Sequence, residues 1–160
     1  MIRNTNIGND CDIQANSVID SAELGDHCQI GPFARLRPGT RLANAVRIGN
    51  FVETKNAQIA TESKVNHLSY VGDSIVGKET NIGAGVVTCN YDGANKHQTT
   101  IGNQVFVGSG TQLIAPIEIA DGATVGAGST ITRNVEHNTL AITRSPQKSV
   151  NHWKRPKKAK

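Results

Sequence analysis

The sequence predicts an all-β fold, a parallel β-helix of short strands stacked coil on coil. Three observations lead there. An aliphatic residue returns every six positions, often with Gly or another small residue after it. Large side chains are scarce, with 6 aromatic residues against 16 glycines in 160. No stretch carries the 3.6-residue period of an amphipathic helix.

The aliphatic leads begin at Ile7, Ile13 and Ile19 and continue through Leu24, Ile30, Leu36, Leu42 and Ile48. They resume at Ile59, Val65, Val71, Val76 and Ile82, then at Ile101, Val107, Leu113, Ile119, Val125 and Ile131, with Thr54 and Thr88 filling two gaps. A second inward position lies four residues after most leads, at Cys11, Ser17, Cys28, Ala34, Val46, Val52, Ser69, Thr80, Val86, Val105, Ile117, Ala123 and Val135. Short strands joined by tight corners account for both columns, because a corner favours a residue without bulk. No single coil buries its own face, so the stack is the stable unit. The one large break, thirteen residues from Thr88 to Ile101, reads as a polar loop leaving the stack.

Composition narrows the function. The net charge is +4, but residues 151–160 hold five Lys or Arg and no acid, which leaves 12 basic and 13 acidic residues for the body. Basicity is therefore a property of the tail, and no nucleic-acid partner is expected. Residues 1–10 are polar and no apolar run approaches membrane-spanning length, so neither a secretory signal nor a membrane partner is expected. Three cysteines, Cys11, Cys28 and Cys89, without CxxC spacing suit a reducing, cytoplasmic setting and small core positions. His27, His67, His97, His137 and His152 lack the spacing of an intersubunit metal site, so no metal is expected.

Three stretches carry polar residues that a β-helix does not need. They are Gly31–Gly39 with Asn50–Lys55, then Lys64–Asp73, then Asn81–Gly85 running into the break at Thr88–Lys96. His67 stands two residues after inward Val65, off both inward columns, so it should not be a core residue, and a near-neutral imidazole there can take a proton from an attacking amine. Arg37, Lys55 and Lys96 offer cations for a phosphate, and Tyr70, Asn81 and Asn90 offer neutral hydrogen bonds.

The segments GPFARLRPG, GNFVETKNA, KVNHLSYVGD, NIGAG, TCNYDGANK, VFVGSGTQLIAP and LAITRSPQ closely resemble one family. It is the C-terminal acetyltransferase domain of the bacterial bifunctional N-acetylglucosamine-1-phosphate uridyltransferase/glucosamine-1-phosphate N-acetyltransferase, a hexapeptide-repeat acyltransferase. The resemblance runs nearly end to end. It implies a left-handed helix of about seven triangular coils over residues 1–136, with 137–160 as a tail completing or capping the site. It implies acetyl transfer from acetyl-CoA to the 2-amine of glucosamine 1-phosphate, on the route to UDP-N-acetylglucosamine, by a homotrimer without a permanently bound cofactor.

Carried over by position, His67 is the catalytic base and Glu53 orients or polarises it. Arg37, Lys55 and Lys96 bind the sugar phosphate, and Tyr70, Asn81 and Asn90 contact the sugar. Ala84 lends a backbone N–H to the thioester oxygen, while Ser109, Ala127 and Arg144 hold acetyl-CoA. The family's uridyltransferase domain, with its Gly-rich nucleotide loop, has no counterpart here and is expected to be absent. Another acyltransferase of the same fold, or a non-enzymatic scaffold, are the competing readings.

Overall fold

The structure, a computed structural model, describes residues 1–158; Ala159 and Lys160, at the end of the expected tail, lie outside the described residues. Twenty-one strands, mostly two to four residues long, follow one another without a helix among the described residues. Every pair of named strands is parallel, each with the strand one coil away. The architecture is the expected all-β left-handed parallel β-helix.

Register defines the coil. Ile2 pairs with Ile19, Ile19 with Leu36, Leu36 with Thr54 and Thr54 with Val71, so a coil takes 17 or 18 residues. The column continues through Thr88, Leu113 and Ile131, giving eight levels on this face. That is one more coil than expected. The column begins at Ile2, ahead of the first aliphatic lead, and Leu140–Ala141 adds a strand to the far end by pairing with Thr124–Val125.

The three faces follow in chain order. Face one holds the Ile19 column, face two the column of Leu24, Leu42, Ile59 and Val76, and face three that of Ile30, Ile48, Val65, Ile82 and Val107. Two strands, Glu53–Ile59 and Tyr70–Val76, run unbroken from face one onto face two.

The inward columns form one continuous core. All aliphatic leads from Ile19 to Ile131 are buried, as are Thr54 and Thr88. Ile7 is 37% exposed and Ile13 half-buried, because the first coil is covered on one side only. The second inward positions are buried too, apart from half-buried Cys11. Hydroxyls share this interior. Thr40 and Thr54 pair at 3.0 Å, and Ser63, Thr111 and Ser129 donate to the carbonyls of Gly77, Gly108 and Gly126 at 2.6–2.7 Å. A small hydroxyl residue can thus fill an inward slot while satisfying a corner carbonyl.

Corners need a left-handed residue in nearly every coil. The first corner, after face one, uses Asn4, Ser21, Gly39, Asn56 and Asp73. The third, before face one, uses Asn16, Phe33, Phe51 and Leu68, then Gly85, Gly110 and Gly128. Bulky residues at positive φ are uncommon, so the Phe33–Phe51–Leu68 run is a costly choice that leaves an exposed apolar ridge. The Phe33 and Phe51 rings stack with centroids 5.2 Å apart.

Truncating Leu113, fully buried in a complete coil, is expected to cost about 2–5 kcal/mol as Leu113→Ala in denaturant unfolding. Burial also pushes the Cys28 thiol up to about 11 from 9.0. The unfolded chain therefore releases this proton first as pH rises, and stability falls across that window. Cys28→Ala should flatten that segment of the stability–pH curve.

Candidate active site

The outward residues of face one come in two rows, either side of each buried lead. The row nearer the third corner reads Arg35, Glu53, Tyr70, Val87 and Gln112, in direct register. The row nearer the first corner includes Arg37, Lys55 and Gly72. Strand alternation fixes both rows outward once the leads point in.

Arg37 precedes the Pro38-Gly39 turn, and its guanidinium donates to the Glu53 carboxylate at 2.8 Å. Arg35 lies 3.8 Å from the other Glu53 oxygen. Glu53, expected to orient His67, is thus engaged by two arginines on its own face, and its carboxylate makes no ion pair with the imidazole among the described residues.

A second cluster forms at the first corner. The thirteen-residue break becomes a loop between strands Val87–Cys89 and Thr99–Ile101. His97 N–H donates to the Asn90 carbonyl at 2.8 Å and Tyr91 bridges to Lys96, so the loop closes on itself. Asp92 braces it, accepting from the Ala94 and Asn95 N–H groups and pairing with the His97 ring at 2.6 Å. These contacts hold the Asp92 carboxyl well below the usual carboxylate range.

The closed loop brings Lys96 to Lys55. Lys55 lowers the Lys96 pKa by side-chain contact and by its charge. The charge of Asp73 acts on Lys96 in the opposite sense. Asn90 is buried; its side-chain amide donates to Tyr70 Oη at 3.4 Å and to Asp73. Burial works to raise the Asp73 pKa, but hydrogen bonds from Asn56 and Asn90 and the charges of Lys55 and Lys96 bring it below its ordinary value.

The other expected residues lie elsewhere. Backbone bonds from Gly85 N to His67 O, Gly110 N to Ala84 O and Gly128 N to Ser109 O, at 2.7–3.2 Å, stack His67, Ala84 and Ser109 along the third corner. Ala127 continues that column, and its carbonyl accepts from the Arg144 guanidinium at 2.7 Å. The His67 ring is exposed. Ala84 N–H donates to no acceptor among the described residues. A Cβ at Gly85 or Gly110 would meet only backbone at 3.8 Å or beyond, and one at Gly128 nothing within 4 Å. Beyond His67 this corner is therefore a shallow track without side-chain bulk. Asn81 sits on face three, in register with Lys64 and Phe106, and is not brought to the Lys55–Lys96 cluster.

The structure thus assembles Arg37 with Glu53, and Lys55 with Tyr70, Asn90 and Lys96; it lines up His67, Ala84, Ser109, Ala127 and Arg144; and it leaves Asn81 apart. Sequence reasoning passed over Arg35, Asn56, Gly72 and Asp73. Asp73 closes the KVNHLSYVGD stretch, the one signal that could have drawn attention to it.

The repeats define the class. The chain matches the bacterial transferase hexapeptide (six repeats) at residues 98–133 and the hexapeptide repeat of succinyl-transferase at residues 4–31, so it carries hexapeptide repeats near both ends. More particularly, it is similar along its length to the bifunctional protein GlmU. Identity is 57% to that of Marinobacter nauticus over 99% of the chain, and 55% to that of Dichelobacter nodosus over 99%. The chain spans about a third of these curated relatives, 35% and 34% of their lengths.

Solved structures share the fold at low identity. A mutant of perosamine N-acetyltransferase from Caulobacter crescentus, in complex with CoA and GDP-perosamine, superposes with a TM-score of 0.57 at 20% identity, over 86% of this chain and 54% of that one. A mutant of AntD, an N-acyltransferase from Bacillus cereus in complex with dTDP-4-amino-4,6-dideoxyglucose and coenzyme A, gives 0.52 at 14%, over 87% and 80%.

Gly72 makes a direct prediction about Tyr70. A Cβ there would lie 2.3 Å from Tyr70 Oη and 2.5 Å from Cζ, so the phenol lies down over this glycine. Gly72→Ala should lift the ring away from Asn90 while leaving the coil folded. Crystal structures of the two proteins would show the displacement.

Proposed function

We propose that the chain transfers the acetyl group of acetyl-CoA to the 2-amine of glucosamine 1-phosphate, giving N-acetylglucosamine 1-phosphate for UDP-N-acetylglucosamine synthesis. The observation that carries this reading is the Lys55–Lys96 pair beside Tyr70, Asn90 and Arg37. Two ammonium groups in side-chain contact repel, and a phosphate dianion placed between them turns that repulsion into two charge-assisted hydrogen bonds. The identity to GlmU over the whole chain supports the same substrate.

In the proposed mechanism the sugar's free amine attacks the thioester carbon while His67 removes its proton. A C–N bond forms, the carbonyl oxygen gains charge beside the unengaged Ala84 N–H, and the C–S bond then breaks. The CoA thiolate leaves with the electron pair and takes up a proton. No covalent enzyme intermediate is required. Acetyl-CoA is the co-substrate and lies along the bare track of Gly85, Gly110 and Gly128, with Arg144 toward its phosphates. Glu53 acts through Arg37, holding the guanidinium in place. The working assembly is a cytoplasmic homotrimer in which Asn81 and the third corner of one copy face the cation cluster of another. Among the described residues no helix is long and apolar enough to cross a membrane.

Thiol release from acetyl-CoA tests the reading, with glucosamine 1-phosphate, glucosamine or no sugar. Release that depends on the 1-phosphate is expected; none with any acceptor, from folded protein, overturns it. His67→Ala should fold normally and lose about 10²–10⁴ in kcat, and full activity would remove His67 from the mechanism.

The lowered Lys96 pKa adds a pH signature. As pH rises, Lys96 loses its proton before an ordinary lysine does, so KM for the sugar phosphate should climb below the usual lysine range. Lys96→Arg, which stays charged, should flatten that climb.

A further inference from the structure

Asp73 takes no part in the chemistry above, yet its charge acts on both lysines. One oxygen accepts from the Asn56 amide at 2.8 Å and the other from the Asn90 amide. Asn56 follows Lys55 directly in the chain. Asn90 begins the loop that carries Lys96, and its carbonyl takes the N–H that closes that loop. Asp73 therefore ties the corner bearing Lys55 to the root of the loop bearing Lys96.

We propose that Asp73 is a positioning residue for the phosphate site, holding Asn56 and Asn90 so that Lys55 and Lys96 reach one phosphate together. The inference rests on the sugar-phosphate reading above and deepens it. A carboxylate does not ligate a phosphate itself, since like charges repel. Its charge offsets part of the lysines' mutual repulsion, and its bonds to Asn56 and Asn90 keep two long, flexible side chains from parting before the substrate arrives. Ordering them in advance removes an entropy cost from binding.

The corner alone does not call for a carboxylate. Asn4, Ser21 and Asn56 occupy the same left-handed position in other coils, at φ of 49°, 50° and 45° against 47° for Asp73. A neutral residue is therefore compatible with the turn, and Asp73→Asn should fold. Its amide can accept at only one end, so one of the two asparagines loses its partner and the lysines lose their counter-charge.

The test compares the full chain with Asp73→Asn, Asp73→Ala and Asp73→Glu in thiol-release kinetics, using glucosamine 1-phosphate and unphosphorylated glucosamine. Asp73→Asn and Asp73→Ala should raise KM for the sugar phosphate about tenfold or more, with kcat within about threefold and KM for acetyl-CoA unchanged. The preference for the phosphorylated acceptor should fall by the same factor, and Asp73→Glu should recover part of it. An unchanged preference, or equal losses on both acceptors and on acetyl-CoA, overturns the proposal. Should Asp73→Ala not fold, Asp73→Asn carries the comparison.

The wild-type arm separates the two readings. If wild-type protein shows no 1-phosphate dependence, the sugar-phosphate function fails, and Asp73 is then judged on inorganic phosphate alone by calorimetry. Binding about tenfold weaker in Asp73→Asn sustains the positioning role; equal binding, or none to either protein, removes it.

Discussion

Everything in this structure depends on one coil lying in register on the next. Each coil donates and accepts backbone hydrogen bonds along its neighbour, as in Gln29 N to Val46 O, Arg47 N to Ser63 O and Lys64 N to Thr80 O. Backbone polar groups in so narrow a fold have few other partners, and an unpaired buried one is costly. The spacing of parallel strands, about 4.8 Å, then becomes the repeat of every side chain. Aliphatic leads stack on aliphatic leads and corners on corners. A slip would break the core and the site together.

Registration also explains how the fold tolerates an irregular stretch. From Thr88 to its partner Leu113 the step is 25 residues instead of 17 or 18. The extra length leaves at the first corner and rejoins face two with Ile101 in register on Val76, so Thr88 and Leu113 still stack one coil on. An insertion there costs loop closure, which grows slowly with length, and leaves the core contacts intact. What it supplies is a closed loop that brings Lys96 from far along the chain to Lys55. Strand rows alone would set cations side by side along a face; the loop turns one back toward another.

The sequence made the core legible because a six-residue period requires only that one position per strand be aliphatic. Ile19 through Ile131 and all but one of the second inward positions lie where the period put them. The coil count was less visible. Ile2 precedes the first regular lead, and Leu140–Ala141 follows a segment where the period lapses. Hydroxyl positions such as Ser63 and Thr111 were hidden because a hydroxyl reads as polar until the corner carbonyl that receives it is known.

The site was legible as residue types and less so as neighbourhoods. That Lys55 meets Lys96 follows from a loop path no spacing rule gives. That Glu53 meets Arg37 follows from their places in adjacent rows of one face, a relation set by register between coils. Asp73 occupies a corner position that Asn4 and Ser21 also fill in other coils, and only its two amide partners distinguish it from them.

On the proposed reading, the geometry of one chain also bears on why more than one is needed. His67 and Ala84 stand on the third corner and the lysine pair on the first, with the width of face one between them. A sheet face is open on one side, and a small substrate resting on it would keep much of its surface in water. Sites that act on small molecules enclose most of the ligand, which strengthens the charge interactions inside. Among the described residues no strand layer packs over face one. Asn81 lies on face three, and the exposed Phe33–Phe51–Leu68 ridge lies along the third corner. In the proposed homotrimer a second copy would meet both needs, covering the apolar ridge and bringing its own face three to the open cation cluster.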